Sequence, residues 1–220
     1  MSDLDLPTYG VVDLETTGLD MREHVICEAA VIIYGPDADG VYDVTDHFAF
    51  VPNVAPQSLG FASPEALAVN RWYERRRYLE MLSSVETDRA WRNVADALDG
   101  ATLVAANPAF DAKFLARELS LRLDLDEMWH YRLLDVQAMT MGAGRQALIM
   151  GSALGITGGA EKAAVMRPPS FPECITLWSL DGYVRPGTEH TALGDAAMTL
   201  RVLQAALGHP ILPAGQEDQW

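Results

Sequence analysis

The chain has 220 residues, 49% of them hydrophobic and 21% charged, which excludes intrinsic disorder and fits one domain of ordinary size. With 16 basic and 31 acidic residues the net charge is −15, which argues against a protein that coats duplex nucleic acid, because phosphate contacts need Lys and Arg. An enzyme that grips one strand end through bridging cations remains open. No apolar run approaches the ~20 residues of a membrane span, Met1–Asp5 is acidic rather than signal-like, and Cys27 and Cys174 are too few for a disulfide framework or a cysteine zinc site; a cytoplasmic protein without membrane contact is expected.

Thr8 to Leu14 is an apolar run ending in acid and reads as a buried central strand. Val25 to Tyr34 reads as a second strand. Gly35 to Gly40 is dense in turn formers, and Val41 to Val51 reads as a third strand, so the chain opens with an antiparallel meander. Ser63-Pro64-Glu65 is a helix start, with Ser63 as cap and Pro64 at the first position. Thr87 to Leu98 repeats Ala90, Trp91, Val94, Ala95 and Leu98 at helical spacing and stops at Gly100. Ala101–Ala106 follows as a strand and Ala109–Leu121 as a helix. Arg132–Met139 is expected to be a fifth strand, and Gly142–Pro172 a loop-rich region with one helix. Thr191–Leu207 is a final helix. Residues 1–208 are expected to form the domain and 209–220 a tail. Three strands, then helices alternating with strands, predict an α/β fold with a five-stranded mixed sheet: a three-strand antiparallel meander plus two parallel strands, flanked by helices.

Asp13 and Glu15 sit two apart at the end of the first strand, so both side chains point to one face. Two carboxylates there repel each other and are poorly solvated. A divalent cation removes that conflict, and hard oxygen ligands suit Mg²⁺ or Mn²⁺. The alternative is a strand end that meets solvent with both acids exposed. The continuation Asp13-Leu14-Glu15-Thr16-Thr17-Gly18-Leu19 resembles the first motif of the DEDDh, or DnaQ-like, 3′→5′ exonucleases of the ribonuclease H-like superfamily. Asn107-Pro108-Ala109-Phe110-Asp111, with Phe114-Leu115 beyond it, is similar to the second motif. His190-Thr191-Ala192-Leu193-Gly194-Asp195-Ala196 looks like the last. Taken singly, Asp111 is an ordinary acid in a helix's first turn and His190 an ordinary surface or capping histidine; together, the three motifs follow the family's order on the right predicted elements. Glu28, Ala66–Asn70 and Thr176–Leu180 also match family positions, so the resemblance runs from about Thr8 to Leu207. Leu14, where Thr or Ile is frequent, and Thr191, where Arg is frequent, are mild departures.

The resemblance implies a ribonuclease H-like fold and a metal-dependent 3′→5′ exonuclease that releases nucleoside 5′-monophosphates. It implies two divalent ions, Mg²⁺ or Mn²⁺, on Asp13, Glu15, Asp111 and Asp195. Asp13 would bridge both, Glu15 and Asp195 would complete the first, and Asp111 would serve the second. His190 would take the proton of the attacking water. Thr16, Gly18, Leu19, Asn107 and Phe110 would bind the terminal nucleotide. Single-stranded or frayed DNA 3′ ends are the favoured partner. RNA or short oligonucleotides are an alternative, as is a non-catalytic, polymerase-associated module. Proofreading would need a polymerase partner, whereas oligonucleotide scavenging would not.

Arg71 to Arg77 carries four arginines and one glutamate in an acidic chain. It reads either as a strand-binding segment, with Arg on phosphate and Trp or Tyr on bases, or as an amphipathic helix with Trp72 packed and the arginines solvated. Asp135 is expected to be structural. Lys162 and Arg167 are within reach of substrate on this reading, and Gly158-Gly159 is a turn rather than a phosphate loop.

Overall fold

Five strands, β1 (Tyr9–Thr16), β2 (Ile26–Pro36), β3 (Tyr42–Phe50), β4 (Thr102–Ala105) and β5 (Leu134–Asp135), form one sheet in the order β3–β2–β1–β4–β5. The structure, a computed structural model, describes residues 6–150 and 167–213. β1 and β2 pair antiparallel, as do β2 and β3, while β4 runs parallel to β1 and β5 parallel to β4. β2 is buried along all but its last residue, which is why its sequence, Glu28 apart, is apolar rather than alternating. β3, at the edge, keeps exposed Asp43 and Asp46 that discourage further pairing.

Helices cover both faces. On one, α3 (Ser84–Leu98) and α4 (Pro108–Leu123) bring Trp91, Leu98, Phe114, Leu115 and Leu119 against Val12, Leu14, Val31 and Ile33. A capping box between Ser83 and Glu86 starts α3 three residues earlier than the periodicity suggests. On the other face, α5 (Val136–Met150), α6 (Phe171–Leu177) and α7 (Ala192–Leu207) bring Val136, Cys174, Ala196, Leu200 and Leu203 against Val11, Ala30 and Ile32. Short α1 (Pro56–Gly60) and α2 (Pro64–Val69) lie between β3 and α3, and Ser63 Oγ accepts the Ala66 N–H as the α2 cap. Among the described residues, no helix is long and apolar enough to cross a membrane.

Three sequence expectations need correction. Arg132–Met139 is not a strand throughout: β5 is confined to Leu134–Asp135, because Asp135 Oδ1 accepts the N–H groups of Gln137 and Ala138 and starts α5 at Val136. Gly142–Pro172 is less loop-like than expected, since α5 runs through Gly142 to Met150; residues 151–166, which include Gly158, Gly159 and Lys162, lie outside the described residues. Arg71–Arg77 is not a helix. Arg71 (φ 53°) and Arg76 (φ 54°) are left-handed, which breaks the segment into turns around buried Trp72. Arg167 is exposed and pairs with Glu173.

Gly10 fixes how closely α3 approaches β1, because a Cβ there would lie 2.2 Å from Cδ2 of fully buried Leu98. Gly10→Ala is therefore expected to destabilise the fold by about 1–3 kcal/mol through overpacking. Urea denaturation should show a smaller cost in a Leu98→Ala background, and equal costs in both backgrounds would contradict this contact.

Candidate active site

The carboxyl end of β1 supplies Asp13 and Glu15 on the face that α7 covers. Thr191 caps α7 by accepting the Gly194 N–H at 3.0 Å, which places Asp195 in the first turn, where the helix dipole favours an acid. Oxygen atoms of Asp13, Glu15 and Asp195 lie within 4.8 Å of one another, the one such group found among the described residues. Asp111 stands in the first turn of α4, after Pro108 at the helix start. It interacts with Asp13 electrostatically but is not part of the 4.8 Å group.

Burial and mutual repulsion act together on these acids. Desolvation, then Asp111, Asp195, Glu15 and Glu28, hold the Asp13 carboxyl well above the usual range. Burial pushes Glu15 up to about 7, with Asp195 and Glu28 adding to the shift and Arg75 opposing it. Burial also raises Asp195 to about 6, against the pull of His190. Asp111 moves upward mainly by burial, partly offset by backbone hydrogen bonds from Asp111 and Leu14. Such a set of hard, anionic oxygens is a suitable cradle for a divalent cation, which would relieve the repulsion. His190 is exposed and left-handed (φ 56°), five residues before Asp195.

The other residues expected in the site surround the loop after β1. Thr16 Oγ1 donates to the Gly18 carbonyl at 2.8 Å, and Thr17 exchanges backbone and side-chain bonds with Val25. A Cβ at Gly18 would lie 2.4 Å from His24 Nε2, so a side chain there would have to displace the His24 ring. Leu19 projects from this loop, 83% exposed. It lines two clefts together with Phe110. One, of about 340 Å³, runs along Glu15, Thr16, Ser63, Glu65 and Val69. The other, of about 220 Å³, runs along Asn107, Lys113 and Phe114. The Asn107 side chain makes no cap bond to α4.

No protein-family model matches the chain. Its structure is similar to zinc-bound E. coli exonuclease I in complex with single-stranded DNA, with a TM-score of 0.62 at 17% identity, covering 91% of this chain and 40% of that one. It is also similar to a moderately thermophilic exonuclease I from Methylocaldum szegediense, with a TM-score of 0.60 at 18% identity, covering 92% of this chain and 40% of that one. The fold is DnaQ-like and ribonuclease H-like. In sequence, this ribonuclease H-like chain is 28% identical over 137 residues to an oligoribonuclease of Mycobacterium sp. (strain KMS), which is 58% of this chain and 60% of that protein. The chain thus matches less than two thirds of the length of the relatives compared.

Two features of the candidate site escape a motif-based reading. Lys113 joins Asn107 and Phe110 in one cleft; its signal was the three-residue spacing from Phe110 on α4. Arg75 reaches the site from the 71–77 turns, where Nη2 meets buried Glu28 at 3.0 Å and Nη1 meets the His190 carbonyl at 3.1 Å. Arg77 shares Glu28 at 3.0 Å. Two of the arginines expected to be solvated are therefore held inside.

The acid cluster predicts a pH-dependent stability. A carboxyl with a folded pKa above its unfolded value binds its proton more tightly when folded, so the associated stability is present below pH 4.5 and is lost as pH rises through about 7. For Glu15 the gap corresponds to roughly 3 kcal/mol. In chelator, the melting temperature is expected to fall between about pH 5.5 and pH 8, and Glu15→Gln should reduce that fall. A fall unchanged by Glu15→Gln would contradict the shift.

Proposed function

We infer that the protein is a divalent-metal-dependent 3′→5′ exonuclease acting on single-stranded 3′ ends. The observation that carries this reading is the convergence of Asp13, Glu15 and Asp195 within 4.8 Å, beside Asp111, on a DnaQ-like fold. Asp13, Glu15 and Asp195 would hold one cation and Asp13 with Asp111 a second, Mg²⁺ or Mn²⁺. When bound, the pair lowers the pKa of water and neutralises charge on the leaving oxygen.

The side chains divide the remaining work. Leu19 and Phe110 flank the terminal base, and the Thr16–Gly18 backbone fixes the height of the sugar. Asn107 and the Lys113 ammonium, which line the second cleft that Leu19 and Phe110 share, would contact phosphate. An imidazole nitrogen of His190 accepts the proton of the attacking water. The water oxygen bonds to phosphorus, the bond from phosphorus to the 3′-oxygen breaks, and that oxygen takes a proton from solvent. The product is a nucleoside 5′-monophosphate. DNA ends are the first substrate to test. RNA oligonucleotides are the second, favoured by the similarity to oligoribonucleases.

Labelled single-stranded DNA, duplex DNA, RNA and dinucleotides, each incubated with Mg²⁺, Mn²⁺ or chelator, test the reading. Stepwise shortening from the 3′ end is expected with metal and none with chelator. Asp13→Ala, Asp111→Ala and Asp195→Ala should each lower the rate by more than about 100-fold, since even supporting residues of metal sites cost 10- to 100-fold, with circular dichroism unchanged. Undiminished turnover in any of the three, or binding without cleavage by the wild type, would overturn it.

A further inference from the structure

We propose that Arg75 is a positioning residue that fixes His190 over the acidic cluster by clamping the His190 backbone to the buried Glu28 carboxylate. The register of β1 and β2 sets Glu28 directly opposite Glu15, on the same face of the sheet. An acid at that position adds to the repulsion on Asp13, Glu15 and Asp195. It does not belong to the 4.8 Å group, because its carboxylate is turned to two guanidiniums.

Of those two, only Arg75 hydrogen-bonds to the His190 turn among the described residues. Its Nη2 binds Glu28 Oε1 at 3.0 Å, and its Nη1 donates to both the Asn70 and the His190 carbonyls at 3.1 Å. Three fixed acceptors leave a planar guanidinium little freedom, and its side chain is only 15% exposed. Asn70 is itself anchored, since its side-chain Nδ2 donates to the Thr16 carbonyl and its side-chain Oδ1 accepts the Trp72 N–H. The clamp therefore joins the end of β1, the start of β2 and the turn before α7.

The tethered segment needs outside support. His190 is a non-glycine residue at φ 56°, and its neighbours are held by short-range bonds: Thr188 to Arg185, and Thr191 to Thr188. Those bonds fix the shape of the turn but not its distance from β2. Arg75 supplies that distance. Arg77 shares Glu28 and pairs with Glu80, and among the described residues no hydrogen bond or ion pair joins it to the His190 turn. It is thus an internal control for loss of charge next to Glu28.

The role in catalysis rests on the exonuclease reading, so the test has two arms. In steady-state kinetics on a single-stranded oligonucleotide, Arg75→Gln is expected to lower kcat roughly 10- to 100-fold, the cost of a small misplacement of a reacting group. KM should stay within about threefold, and Arg77→Gln should cost less than about threefold in kcat. In a His190→Ala background, Arg75→Gln should have little further effect, because the group it positions is gone. Equal losses for Arg75→Gln and Arg77→Gln, or losses that multiply with His190→Ala, would overturn the proposal. The second arm needs no activity: amide hydrogen exchange at Thr191 and Gly194 should quicken in Arg75→Gln and not in Arg77→Gln. Equal exchange in the two variants overturns the clamp, whereas an inactive wild type counts against the exonuclease reading and leaves the clamp to be judged by exchange.

Discussion

Like charges are forced together at the carboxyl end of β1, and the surrounding structure is arranged to tolerate them. Asp13 and Glu15 share a face because strand side chains alternate. Antiparallel register adds Glu28, the first turn of α7 adds Asp195, and the first turn of α4 brings Asp111 near. The charged neighbours that act most on Asp13 are all carboxylates. Burying anions without partners costs several kcal/mol each, so such a group persists only where the fold outweighs it or a cation joins it.

The compensation is uneven. Glu28 receives Arg75 and Arg77 directly. Asp111 and Asp195 sit at helix starts, where the peptide dipoles favour negative charge. Asp13 and Glu15 receive least, and they stand where the two helix starts converge on the end of β1. This gradient, from fully paired Glu28 to poorly compensated Asp13, separates an acid with a structural partner from acids suited to bind a cation. The sheet can hold the strain because both faces of β1 are sealed: Val12 and Leu14 pack under α3 and α4, while Val11 packs under α7.

Much of this frame was legible in the residues. The meander could be read because β1 and β2 are mainly apolar runs, broken only by acids near the end of β1 and the start of β2, and α7 because its apolar residues recur at helical spacing. Arg132–Met139 misled because Leu133, Leu134, Val136 and Met139 suit a strand or a helix, and only the Asp135 cap decides between them. Gly142 and Gly144 hid the continuation of α5, since glycine weakens a helical pattern that packing on α7 restores. The meeting of Asp13, Glu15 and Asp195 was visible as motifs, from β1 to the start of α7. Arg75 was not visible as a clamp, because Glu28 is 47 residues away and His190 is 115, and no local pattern records either contact.

Whether the crowded acids hold cations is the central claim, and a crystal structure of protein soaked in Mn²⁺, with anomalous scattering at the metal edge, tests it most directly. The account predicts anomalous peaks bounded by Asp13, Glu15 and Asp195, with a second towards Asp111, at coordination distances of about 2.0–2.3 Å from carboxylate oxygens. Carboxylates that stay in place with no peak between them, or manganese bound only elsewhere on the surface, would contradict it.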